Sequence, residues 1–87
     1  MAKSLFTHDA RQLARLLAQA RRDAGITQVE LARTLGKPQP FVSLIERGER
    51  RVDVVEFCAI AHAIGWRPLD LFDRFLEYRE LVEPVEG

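Results

Sequence analysis

Residues 27–48 read Thr-Gln-Val-Glu-Leu-Ala-Arg-Thr-Leu-Gly-Lys-Pro-Gln-Pro-Phe-Val-Ser-Leu-Ile-Glu-Arg-Gly, and this order of small, apolar and polar positions describes two short helices meeting at a tight turn. Thr27 followed by Glu30 has the spacing of a capping box, which satisfies free N–H groups at a helix start. Leu31 and Leu35 then lie on one face. Ala32 sits where a larger side chain would hold a second helix away, and Gly36 can take the positive φ that ends a helix and turns the chain. In the second helix Val42 and Ile45 point back into a core, while Pro40, Ser43, Leu44 and Arg47, spaced i, i+3, i+4 and i+7, form the outward face. That face is the candidate contact surface.

The stretch resembles the helix-turn-helix of the phage repressor and Cro type, the XRE family of transcriptional regulators. Ala32 and Gly36 occupy the small-residue and turn positions of that family, Val42 and Ile45 its buried positions, and Ile-Glu-Arg-Gly at 45–48 is a common family ending. The similarity runs from about residue 10 to residue 72, through the Glu-Arg-Arg-Val-Asp-Val-Val-Glu-Phe and Ala-Ile-Gly segments. It implies an all-α, compact five-helix repressor-like domain that places helix 39–47 in the major groove.

Outward from the motif, periodicity and caps give five helices and no convincing strand. The first is expected over 8–23, capped by Thr7, with Leu13, Leu16, Leu17 and Ala20 buried and Gly25 at its end. Asp53 and Glu56 open a fourth with a second capping box, its core face made by Phe57, Ile60, Ala61 and Ile64. Gly65 stops it. Pro68 suits the first position of a fifth helix over 68–78, where a missing N–H costs nothing, with Leu69, Phe72, Phe75 and Leu76 as its apolar side. Pro84 blocks simple continuation to the end. One domain over 1–87 is expected, with a helix-turn-helix core at 8–66 and a C-terminal helix and tail at 67–87 as a dimerisation element.

Composition agrees with that class. At 87 residues and 47% apolar content, the chain can bury one small core and is neither disordered nor membrane-spanning, since no apolar run approaches the roughly 20 residues of a transmembrane helix. The first residues lack an apolar signal-peptide core, and a single Cys58 forms no internal disulfide. A soluble, cytoplasmic protein is expected. The net charge is zero, but its distribution is not even: up to Arg51 there are ten basic and five acidic residues, and from Val52 onward three basic and eight acidic. A basic half can approach phosphates while the acidic half faces away.

The resemblance also assigns roles. Gln28 opens the second helix, where N–H groups and the helix dipole favour a phosphate; a partnerless exposed glutamine is the alternative. Gln39 matches the glutamine at the start of the recognition helix, and its amide can bond N6 and N7 of adenine or cap the helix locally. Ser43 can bond a base or a phosphate. Lys37, Phe41, Arg47, Arg50 and Arg51 are placed at phosphates, with Arg50 or Arg51 near a minor groove; a merely solvated side chain is the alternative for each of the basic ones. Arg21 and Glu46 match an ion pair joining the first helix to the recognition helix, which would also orient Arg21 near a phosphate.

Two positions depart from the family pattern. Pro40 stands where many relatives have serine, and it biases Gln39 away from helical backbone, so a shifted helix start is expected. Leu44 stands where relatives carry a polar or basic residue, and leucine reaches only a thymine methyl, a sugar or another protein.

No catalytic Ser/His/Asp or Cys/His/Asn set and no phosphate-cradling glycine loop is present, so an enzyme is not expected. Cys58 and His62, four apart, supply two of the four ligands of a structural zinc site, and His8 does not complete it; no metal or cofactor is expected. One reading helix covers half a typical site, which implies a homodimer on an inverted-repeat double-stranded operator, acting as a repressor by occupancy. Trp66, Phe72, Phe75, Leu76 and Tyr78 are the candidate dimer surface, with intramolecular core as the alternative. An antitoxin-like adaptor that grips a partner protein is the other functional class.

Overall fold

The computed structural model describes residues 7–82, the last three of them by backbone alone. Five helices follow one another: α1 (His8–Asp23), α2 (Gln28–Leu35), α3 (Gln39–Glu46), α4 (Val54–Ala63) and α5 (Pro68–Val82). No strand occurs among the described residues. α2 packs on α3 and α4, α1 on α3 and α5, and α4 on α5. The apolar stripes of all five meet in one core of Leu16, Leu17, Ala20, Leu31, Ala32, Val42, Ile45, Ile60, Ala61, Ile64 and Leu71.

The local signals act as their chemistry requires. Thr7 Oγ1 accepts the Ala10 N–H at 3.2 Å and starts α1. In α2 the Thr27 hydroxyl accepts the Glu30 N–H at 3.0 Å, and the Glu30 carboxylate accepts the Thr27 N–H at 2.9 Å. Gly36 then turns the chain at φ +70°, and the Lys37 N–H reaches back to the Ala32 carbonyl at 2.9 Å. A Cβ at Gly36 would meet open space, so the position needs glycine for its backbone angle and not for room.

Pro40 does not shift α3. The helix begins at Gln39 with Pro38 as its N-cap, and Pro40 falls in the first turn, where its missing N–H would have had no intrahelical partner. α3 ends at Glu46, one residue earlier than the sequence predicts, with Arg47 as C-cap.

The C-terminal helix differs more. It runs to Val82 and not to Tyr78, while Pro84 lies outside the described residues. Its inward stripe is Leu71, which is wholly buried, followed by Phe75 and Tyr78. Leu69 and Phe72, two residues of the expected apolar side, are 67% and 46% exposed. The sets 71/75/78 and 69/72/76 both have helical spacing, so periodicity cannot choose between them; the directions of α1 and α4 do. As a result Trp66, Phe75 and Tyr78, candidates for a dimer surface, are partly spent on the intramolecular core.

Candidate DNA interface

α3 is held at both ends by arginine–glutamate pairs. At its C-terminal end Glu46 meets Arg21 of α1: Nε donates to Oε2 at 2.6 Å and Nη2 to Oε1 at 3.0 Å. The two side chains are only 10% and 7% exposed. Arg21 Nη1 also donates to the Ile26 carbonyl at 2.7 Å, so one guanidinium ties α1, the α1–α2 loop and α3 together. The family's ion pair is therefore present and buried.

From that pair a directed chain of amides runs to the start of α3. Gln28 Nε2 donates to Glu46 Oε1 at 2.8 Å, and Gln39 Nε2 donates to Gln28 Oε1 at 2.7 Å. A carboxylate only accepts, so Gln28 must turn its N–H toward Glu46 and its carbonyl toward Gln39. Gln39 must then turn its nitrogen to Gln28. This leaves Gln39, which is exposed, with one N–H and its carbonyl oxygen for an outside partner. Gln39 makes no capping bond on α3, so the local-cap alternative is not the one adopted.

Beyond Gln39 the outward face is as the spacing predicts. Pro40 and Arg47 are exposed, and Ser43 and Leu44 are half-buried. The Ser43 hydroxyl donates to the Pro40 carbonyl at 3.2 Å, a bond that uses its proton locally while its lone pairs stay available. Arg47 makes a loose 3.4 Å contact with Glu49, both side chains being more than half exposed, and such a pair contributes little.

The second arginine–glutamate pair was not foreseen. Arg50 forks onto Glu56, Nη1 to Oε1 at 3.0 Å and Nη2 to Oε2 at 2.9 Å, and also donates to the Arg51 carbonyl at 2.8 Å. Its guanidinium stacks 4.5 Å from the Phe41 ring centroid, with Lys37 over the same ring at 5.3 Å. Glu56 meanwhile completes the α4 capping box by accepting the Asp53 N–H at 3.0 Å. The Arg50 fork, then the Asp53 N–H, hold the Glu56 carboxyl down at about 2, and the bond to Glu56 raises the Arg50 pKa in return. Arg50, expected at a phosphate, also brackets α3 and α4, while Lys37 and Arg47 are more loosely held beside the outward face. Arg51 is exposed in the same loop.

Two further cations on this side, counted in the basic half of the sequence, had been given no site role. Arg15 and Arg22 of α1 border a polar depression with Gln28 and Arg47. Their seven-residue spacing, opposite the buried stripe of α1, is the signal that could have found them. No group of three or more metal-ligating side chains occurs among the described residues, and no helix there is long and apolar enough to cross a membrane.

Known proteins share this fold. A family model described as helix-turn-helix matches residues 17–72. An XRE-family-like protein from Pseudomonas syringae pv. tomato str. DC3000 is 42% identical with a TM-score of 0.76, over 95% of this chain and 96% of that one. The restriction-modification controller protein C.AhdI from Aeromonas hydrophila is 30% identical at a TM-score of 0.70, over 76% of this chain and all of that one. The clp gene regulator ClgR from Corynebacterium glutamicum is 25% identical at 0.77, over 87% and 81%. No curated protein matches the sequence significantly. With the turn, the buried positions and the Arg21–Glu46 pair in place, the chain belongs to the XRE-type helix-turn-helix family.

Proposed function

We propose that the protein is a sequence-specific double-stranded DNA-binding transcriptional regulator that sets α3 in the major groove. The observation that carries this reading is the amide chain ending at Gln39, whose remaining donor and acceptor match the N7 and N6–H of adenine. Ser43 and Leu44 extend the reading face, one polar and one suited to a thymine methyl. The names of two relatives, a clp gene regulator and a restriction-modification controller, support a regulatory role.

A dimer on an inverted repeat, repressing by occupancy, follows from the size of the face: one eight-residue helix reads about half an operator. Leu69 and Phe72 of α5, with Val54 at 78% exposure on α4, offer apolar area for a second copy. The same area supports the other reading, a module that grips a different protein. Selection of bound duplexes from a random pool tests the first. An enriched inverted repeat, bound with a steep salt dependence, supports it; sequence-blind binding alone moves the choice to the partner-binding module.

A further inference from the structure

We infer that α1 carries a second phosphate-binding subsite beside the recognition helix, formed by Arg15 and Arg22 and closed by Arg47; the inference rests on the DNA-binding reading above. Arg15 and Arg22 are both exposed and lie two turns apart on one face of α1, about 10 Å along its axis. Between them the small, buried Ala18 leaves the surface concave. Arg47 enters from the end of α3, and Gln28 lines the depression. That Gln28 is the residue that holds Gln39, so the depression is continuous with the base-reading end of the interface.

The charge balance favours an anion. The lining carboxylate, Glu46, spends both oxygens on Arg21 and Gln28. Arg15 forms no ion pair with a described carboxylate. Among the described residues Arg22 has only a long 3.5 Å contact with the Gln19 carbonyl oxygen, and the Arg47–Glu49 contact at 3.4 Å is easily exchanged. Three guanidiniums, each able to fork onto two phosphate oxygens, therefore face one concave surface. A DNA strand passing the start of α2 meets them.

The test is the salt dependence of binding to the selected duplex for the wild type, Arg15→Gln/Arg22→Gln, and Arg67→Gln, which removes an exposed charge just before α5. The double variant is expected to lose about 1.8 from the slope of log K against log salt, at roughly 0.9 per lost phosphate contact, and to lose affinity equally on selected and scrambled duplexes. Arg67→Gln is expected to leave the slope unchanged. Wild-type binding with an unaltered slope in a folded double variant overturns the subsite and spares the regulator reading. Equal losses in the double variant and Arg67→Gln also overturn it, as an effect of net charge. A wild type that selects no duplex overturns both.

Discussion

The two arginine–glutamate pairs that hold α3 are both two-bond forks and have opposite settings. Arg21–Glu46 is buried and serves as the root of the amide chain to Gln39. Arg50–Glu56 lies in the α3–α4 loop, with side chains 38% and 21% exposed, and is reinforced by the Phe41 ring and the α4 capping box. Charge in a dry site must be matched or the structure suffers, whereas charge at a wet surface can be exchanged for water or phosphate. The buried pair is thus a fixed post for the chain of amides to Gln39, and the exposed pair is an adjustable one in the α3–α4 loop.

Breaking the buried post should have the largest effect. Arg21→Ala leaves Glu46 charged in a site with 7% side-chain exposure and is expected to cost about 3 kcal/mol or more in urea unfolding. A loss under 1 kcal/mol would place both pairs in the same class. Next comes the far end of the chain: Gln39→Ala should weaken binding to the selected duplex by about 1–3 kcal/mol and relax preference at one base pair, with little change in stability. Equal weakening on every sequence would assign Gln39 to the phosphates.

Arg50→Ala sharpens the contrast from the other side. Glu56 keeps its bonds to α4 and stays partly wet, so the expected stability loss is about 1 kcal/mol, and it should shrink in high salt while the Arg21→Ala loss does not. A salt-independent loss would make the loop pair a second buried post.

The smallest effect is one of pH. The Glu56 carboxyl is lowered from its ordinary value near 4.5 to about 2 by Arg50 and the Asp53 N–H. A carboxylate lowered on folding adds stability above its unfolded pKa and loses it as pH falls through the folded one. The stability gap between wild type and Glu56→Gln should therefore be constant above about pH 5 and close between roughly pH 4.5 and 2. A gap that stays flat over that range would show that the charge on Glu56 is not what matters.

Much of this architecture is written locally. Thr27 with Glu30, Asp53 with Glu56, and Gly36 act on backbone groups within a few residues, so the helix starts and the turn follow from short-range chemistry. The Arg21–Glu46 pair was legible only through family resemblance, because its members stand 25 residues apart. The bond from Gln39 to Gln28 and the fork from Arg50 to Glu56 were not legible, since a polar side chain has several partners within reach until the helices are placed.

What the sequence determined by itself is the number and type of helices, the sharp turn before α3 and the face that α3 presents, because periodicity, caps and a positive-φ glycine are local constraints. Only the tertiary structure decided which stripe of α5 faces inward, turning Leu71 in and Phe72 out, and which way each amide and guanidinium points. Those choices depend on the shape and charge that neighbouring helices bring from far along the chain.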